Sequence, residues 1–216
     1  MEVWTLKKTF CFLFVVLFFA SCSRALAQES SENFDVRTVL IGFTSKQERK
    51  LHSASRLIRK ILRTPEFKQQ ILAHTWKGKK TFADSMGLSN EEIYKKIMDG
   101  AEMMNRLGPN NTMDLEIELY TENDSITIGY TYPSIVRIYM NRKYYNKFHP
   151  YQVADNMMHE WLHKLGFNHD VKDTPERPYS VPYAVGYIVK GIAREMHKSE
   201  LKKSFDVITE QTPSDH

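Results

Sequence analysis

The residues best suited to do chemistry lie in one stretch of twelve, residues 159–170, which reads HEWLHKLGFNHD. His159 and His163 are four positions apart, so on an α-helix their rings leave the same face one turn apart. Gly166 can adopt the left-handed conformation that ends a helix, which would turn the chain and bring His169 back toward the other two rings. Three imidazoles at this spacing predict a zinc site whose fourth position stays open for water, as in catalytic zinc sites.

Glu160 lies between the two helical histidines but is rotated about 100° from His159, so its carboxylate should lie beside the ion rather than on it. We therefore predict that Glu160 is a general base that takes a proton from a zinc-bound water and returns it to a leaving amine. The reaction expected of such a site is hydrolysis of an amide bond. Asp170 is an alternative third ligand to His169, although we expect its carboxylate to bond to nearby backbone and steady the turn.

These residues resemble the zinc signature of the metzincin metalloendopeptidases, and Asp170 is similar to the aspartate of the reprolysin-like members. The resemblance implies that His159, His163 and His169 bind one catalytic Zn²⁺ and that Glu160 is the general base. It also implies an α/β (α+β) zincin domain. Such a domain has an upper subdomain with a twisted mixed sheet and two long helices, an active-site helix, and a small C-terminal helical subdomain.

The sequence departs from the metzincin pattern after its last histidine, where the family has a Met-turn beneath the metal. The only methionine there is Met196, in a helix predicted for residues 184–198. Residues 178–186 occupy the expected place, with Pro182 near the position of the methionine, so a group other than a thioether must support the site. Tyr183 has two alternative roles: its phenol faces the metal or the developing oxyanion, as in some family members, or it packs with its hydroxyl bonded to backbone.

Hydrophobic periodicity predicts the elements around the site, in an order that agrees with the metzincin plan. The histidine-bearing helix is predicted from Pro150 to Leu165. The other predicted elements are a strand at residues 37–41, a helix capped by Ser45 and reaching Leu62, its continuation through residues 67–72, a helix from Asn90 to about Met104, and three β-rich runs at residues 114–120, 125–130 and 134–141. One β-rich run could bind an extended peptide along a sheet edge, as the family's edge strand does. Alternatively, Gly129 and the turn at residues 132–133 only shape a hairpin.

The first 27 residues have the pattern of a secretory signal peptide. Lys7 and Lys8 precede an apolar core at residues 10–20, which is too short to span a membrane, and residues 25–27 are suited to cleavage. The pattern predicts a secreted protein, or one of the bacterial periplasm or cell envelope. A lipoprotein signal is the alternative, in which Cys22 becomes a lipid-modified N-terminus.

Cleavage after Ala27 would leave 189 of the 216 residues. That length predicts a single zinc metallopeptidase domain over residues 28–216, without a further transmembrane span. Within it, residues 28–35 are expected to be a flexible leader and residues 202–216 a polar tail that frays.

Cysteine and charge content narrow the compartment and the partners. Cys11 and Cys22 both lie in the signal region, so the predicted domain has no disulfide, which favours bacterial export. Residues 1–27 contribute +2 of the net charge of +4, and the nearly balanced remainder gives no support to nucleic-acid binding. A basic cluster on the first helix is either a solvated face or a contact to an anionic cell surface, and comprises Lys46, Arg49, Lys50, Arg56, Arg59, Lys60 and Arg63.

Together these features predict an exported zinc-dependent metallopeptidase that hydrolyses peptide or protein substrates through a Glu160-activated, zinc-bound water. Two alternatives stay open. One is a zinc-binding envelope or interaction protein that does not turn over peptides. The other keeps the chemistry but cuts a non-protein amide, such as a cell-wall crosslink.

Overall fold

The computed structural model describes residues 33–105 and 108–210, with the side chains described as far as residue 199. The predicted signal peptide, both cysteines and most of the leader at residues 28–35 lie outside this part of the chain. The described residues form a mixed α/β fold, as the sequence predicted at that level, with one four-stranded sheet and six α-helices. No helix in this part of the chain is long and apolar enough to cross a membrane.

The sheet has the order β1-β2-β4-β3 and is mixed. Its strands are β1 (Asp35–Ile41), β2 (Thr112–Tyr120), β3 (Gly129–Tyr130) and β4 (Arg137–Asn141). β1, β2 and β4 are parallel, and β3 pairs antiparallel with β4 as an edge strand. The β-rich run at residues 125–130 therefore supplies only two strand residues, because local bonds such as Thr127 N–H to Ser125 Oγ (3.0 Å) compete with the ladder.

The predicted helices occur in the predicted order with changed ends, and a short helix that was not predicted lies between the last strand and the histidine-bearing helix. They are α1 (Ser45–Leu62), α2 (Pro65–Ala73), α3 (Asn90–Asp99), α4 (Arg142–Lys147), α5 (Pro150–Lys164) and α6 (Val181–Glu210), with a 3-10 turn at Arg177–Tyr179 before α6. The cap of α1 is Thr44 rather than Ser45, because Thr44 and Gln47 form a reciprocal capping box. The prediction that α3 reaches Met104 was wrong, since Gly100 adopts φ +61° and ends the helix.

The last helix differs most from its prediction. It begins at Val181 rather than at residue 184, because the 3-10 turn ends at Tyr179 and the chain enters α6 almost at once. Pro182 fits the first turn, where its missing N–H would have had no partner in the helix. The helix continues to Glu210, into the stretch from residue 202 for which a polar tail was predicted.

The basic cluster on α1 is partly used to hold the fold together. Arg59 pairs with the Asp35 carboxylate (2.8 Å), and Arg63 donates to the Phe34 carbonyl (2.9 Å). Lys50 donates to two backbone carbonyls at the end of α4. Since these three cations have structural partners, the cluster is neither a wholly solvated face nor a uniform anionic-binding surface.

The helix α5 carries two of the predicted histidines and is fixed by its opposite side. Its apolar residues recur at the predicted helical spacing and are at most 1% exposed: Val153, Met157, Trp161, Leu162 and, just after the helix, Leu165. The Trp161 ring packs edge-on against Phe34, and its indole N–H donates to the Glu102 carboxylate. Burial of these side chains supplies the hydrophobic free energy that orients the polar side of α5.

The helix α6 approaches α5 closely at Gly186. A methyl group on Gly186 would lie 2.7 Å from Asp155 Oδ1 and 3.7 Å from the Cβ of His159. One turn further along α6, Lys190 pairs with the same Asp155 at 2.9 Å. The distance between the two helices next to His159 is therefore set by a glycine and an ion pair.

We expect Gly186→Ala to be destabilising relative to Gly191→Ala, a matched change on the same helix where an added methyl group meets nothing within 4 Å. Alanine at Gly191 should raise the free energy of unfolding by about 1 kcal/mol through helix propensity. At Gly186 the same gain is opposed by overpacking, which costs about 1–3 kcal/mol. Urea denaturation of both variants measures the difference, and equal stabilities would contradict the close approach.

Candidate metal centre

The turn after α5 has the conformation that the sequence predicted. Gly166 has φ +93°. Its N–H donates to the His163 carbonyl (3.0 Å), and the Phe167 N–H donates to the Leu162 carbonyl (3.1 Å). These two bonds form a Schellman motif, which satisfies the last carbonyls of the helix and reverses the chain. As a result His169 returns to the face of α5 that carries His159.

The three predicted histidines lie together. Their ring centroids are 5.1 Å apart for His159 and His163, 5.1 Å for His159 and His169, and 5.0 Å for His163 and His169. One nitrogen of each ring lies within 4.8 Å of the other two, so the cluster could hold a metal ion. Among the described residues it is the one such cluster of three or more histidine, cysteine or carboxylate side chains.

Backbone carbonyls orient all three rings. His163 Nδ1 donates to the Phe167 carbonyl (2.7 Å) and His169 Nδ1 to the Asp170 carbonyl (2.8 Å). The ring of His159 bonds to the backbone of Pro182, which has no N–H and therefore accepts. Because a carbonyl can only accept, the ring nitrogen facing it carries the proton and the other nitrogen presents a lone pair.

One contact between these ring nitrogens bears directly on the metal hypothesis. Nε2 of His159 and Nε2 of His169 are 3.2 Å apart. With both ring protons committed to carbonyls, neither Nε2 can donate to the other, and the contact is repulsive unless a cation lies between them. Two nitrogens bound tetrahedrally to zinc at 2.0–2.1 Å would be roughly 3.3 Å apart. The donor set therefore fits a metal that prefers imidazole, such as zinc, copper, nickel or iron.

Burial keeps the three imidazoles neutral. It lowers the pKa of His163 to about 4 and lowers the pKa values of His159 and His169 as well; neighbouring histidines add to the shift at His159 and His163, and Arg177 adds to it at His169. Neutral imidazole is the form that binds metal ions, so no proton has to be displaced near neutral pH.

Tyr183 supports the rings from the first turn of α6. Its ring centroid lies 4.5 Å from that of His159 and 4.7 Å from that of His169. Its side chain hydrogen-bonds to Arg177, not to backbone as one of its two predicted roles required. The segment after His169 has no methionine to support the histidines, and the Tyr183 ring and the Pro182 carbonyl contact them instead.

Glu160 lies beside the cluster and is 3% exposed. Asn156, one turn earlier on α5, donates to Glu160 Oε1 at 3.3 Å. Gly129 on the edge strand β3 leaves room for both side chains, since a methyl group there would lie 3.2 Å from Glu160 Oε1. Burial raises the pKa of the Glu160 carboxyl to about 8, and a cation bound to the histidines would favour its ionised form.

Asp170 does not join the cluster. Its carboxylate accepts a hydrogen bond from Thr174 Oγ1 (3.1 Å), while its backbone carbonyl orients His169. The alternative of Asp170 as third ligand therefore gains no support. Its carboxylate bonds to the Thr174 side chain rather than to backbone as expected.

A cleft of about 580 Å³ runs past His159 and Glu160. One wall comes from β3 and the segment before it, and the other from the start of α6 and the 3-10 turn. Ile126 and Val171 also line the cleft and are 90% and 91% exposed. Sequence reasoning missed three residues of this site, Asn156, Arg177 and Lys190. Asn156 alone had a readable signal, the four-residue spacing to Glu160 on one helix.

Fold and site together define a class of protein: a mixed α/β chain with three histidines that could bind one metal ion beside a buried carboxylate. Comparison of the chain with protein-family models, curated proteins and solved structures finds no match. The function is therefore argued from the geometry of the site.

We expect the protein to bind one equivalent of a divalent transition metal and His169→Ala to weaken that binding more than ~100-fold. Removing a residue that only hydrogen-bonds to a metal ligand lowers metal affinity ~10–100-fold, so removing a ligand itself should cost more. His52→Ala, an exposed histidine on α1, is the matched control and should bind as the unmodified protein does. Competition titration with a chromophoric chelator measures both, and an unchanged affinity in His169→Ala would exclude it as a ligand.

Proposed function

We propose that this protein is an exported, zinc-dependent metallopeptidase of the metzincin type. The observation that carries the proposal is the convergence of three neutral imidazoles next to the buried carboxylate of Glu160, at the wall of an open cleft. The order of ligands and base along α5, with the Schellman turn at Gly166, supports the same reading. Export rests on the signal pattern of residues 1–27.

His159, His163 and His169 would hold the ion through the nitrogens that do not face carbonyls. When bound, zinc supplies a Lewis acid that polarises the scissile carbonyl and activates water for attack on it. Glu160 then holds the proton released on attack and gives it to the departing amine. Asn156 positions the Glu160 carboxylate through its amide N–H, and burial keeps competing water away from that carboxylate.

The cleft also suits an extended peptide. β3 is the edge of the sheet and lines the cleft through Gly129. An edge strand offers backbone N–H and C=O groups to a further strand, and peptides bind in this way to many sheet edges. The exposed aliphatic side chains of Ile126 and Val171 would lose water-accessible apolar surface when such a peptide fills the cleft.

The chain lacks the methionine that the metzincin pattern has after the last histidine, and the geometry offers a replacement for it. Where the family has a methionine, the Pro182 carbonyl fixes the orientation of the His159 ring and the Tyr183 ring packs against two of the histidines. Both functions of a rigid support, orientation and packing, are thus supplied without a thioether. We therefore regard the site as a divergent form of the family's.

Glu160→Gln should lower peptide hydrolysis on the order of 10²–10⁴-fold while zinc stays bound, because the amide cannot accept the proton but fills nearly the same space. Glu91→Gln, an exposed residue on α3, is the control for the same change of charge. Digestion of a denatured protein library, followed by mass spectrometry, reports hydrolysis, and elemental analysis reports zinc. Undiminished cleavage by Glu160→Gln would contradict the mechanism.

The same assay decides between the proposal and its two rivals. Stoichiometric zinc without chelator-sensitive cleavage of any protein would favour a zinc-binding envelope or interaction protein. Release of soluble fragments from purified cell wall, with denatured protein left intact, would favour a hydrolase of cell-wall amides. Chelator-sensitive cleavage of denatured protein, restored by zinc, is the expected result.

A further inference from the structure

Arg177 places a permanent positive charge in the cleft. It lies on the 3-10 turn before α6, and its side chain lines the cleft together with His159 and Glu160. The guanidinium carbon is 4.9 Å from the centroid of the Tyr183 ring, which in turn packs against His159 and His169. One aromatic ring therefore separates this cation from the proposed metal ligands.

This guanidinium has no counter-ion. Among the residues that the structure describes, no carboxylate lies within ion-pair distance of Arg177, and its Nε is buried without a hydrogen-bond partner. Of the other partly buried arginines, Arg59 pairs with Asp35 and Arg137 with two glutamates of β2, while Arg142 donates to the Gly42 and Leu119 carbonyls. Arginine is rarely buried without a partner, because removing its charge from water is costly. Arg177 is thus a cation that contacts Tyr183 but has no negative charge to compensate it among the described residues.

The other charged side chains that line the cleft are paired or buried. Arg177 is therefore the group in the cleft best placed to bind an anion. Lys190 also lines the cleft, but its ammonium is paired with Asp155. Glu160 is almost fully buried, and Asp155 is engaged by Lys190. The fork of a guanidinium matches the two oxygens of a carboxylate, and hydrogen bonds to charged partners are the strong ones.

We propose that Arg177 binds a carboxylate of the substrate, so that the preferred substrates are peptides with an anionic group next to the bond that is cut. This inference rests on the proposed function and names its substrate class. An extended chain advances 3.3–3.6 Å per residue, so a carboxylate within one or two residues of the scissile bond reaches across one aromatic ring. The carboxylate belongs either to an acidic side chain or to the C-terminus of the peptide, and the experiment separates these two sources.

The test measures equilibrium binding, so that it does not depend on turnover. Zinc-loaded Glu160→Gln protein is titrated with amidated pentapeptides in which a single glutamate occupies each position in turn, with the glutamine counterparts, and with one neutral peptide that has a free C-terminus. We expect at least one of the carboxylate-bearing peptides to bind ~10–100-fold more tightly than its neutral counterpart. Tighter binding of a glutamate peptide assigns a side chain, and tighter binding of the free-terminus peptide assigns the chain end.

Arg177→Met in the same background should abolish this preference and leave the binding of the neutral peptides within about twofold. Arg194→Met removes the same charge from an exposed position on α6 and should keep the preference. Arg177→Lys keeps the charge without the fork and should retain part of it, which guards against a methionine variant that fails to fold. Zinc content and thermal unfolding are measured for each variant.

Equal binding of charged and neutral peptides, or no measurable binding of any peptide, would overturn the inference. So would a preference that survives in Arg177→Met, since the carboxylate would then bind elsewhere. If the carboxylate preference depends on Arg177 but the protein cleaves no peptide, the binding site is supported and the peptidase function is rejected. Hydrolysis without any carboxylate preference would retain the peptidase and reject only this inference.

Discussion

The short contact between the lone pairs of His159 and His169 is the constraint on which the rest of the site depends. Two acceptor nitrogens 3.2 Å apart repel each other, and burial opposes the protonation that would turn the contact into a hydrogen bond. The fold must therefore hold the rings in this arrangement against their own repulsion, or a cation must remove it. Each ring has a backbone carbonyl at its other nitrogen, which shows where the fold applies its restraint.

That restraint comes from three separate parts of the chain. Burial of Trp161 and its apolar neighbours fixes the rotation of α5, and with it the direction of the two helical histidines. The Schellman turn at Gly166 fixes the return of His169. The close approach of α6 at Gly186 brings the Pro182 carbonyl and the Tyr183 ring against the cluster. These three restraints orient the histidines without a metal ion, and such preorganisation would favour metal binding because little conformational entropy would be left to lose.

What could be predicted from the sequence follows the range over which the controlling interactions act. The spacing of the histidines, the end of α5 and the turn at Gly166 depend on neighbours within one or two helical turns, and the structure agrees with all three. The supports in α6 lie far along the chain from His159, and packing of α6 on α5 decides their position. No local sequence pattern predicts how α6 packs on α5. The end of α3 is a different kind of error, because Gly100 was visible in the sequence and ends the helix by a local mechanism.

The proposed metal ion, the proposed base Glu160 and the Arg177 guanidinium pose one electrostatic problem. A divalent ion beside an unpaired guanidinium would leave the cleft strongly positive, with the Glu160 carboxylate as the nearest compensation and the Asp155 charge already neutralised by Lys190. Such a field opposes cation binding but favours any negative charge that enters the cleft or develops within it. A substrate carboxylate at Arg177 would relieve the repulsion between guanidinium and ion, so peptide and metal should each bind more tightly when the other is present. The same unpaired charge that weakens the empty site would then serve to select what fills it.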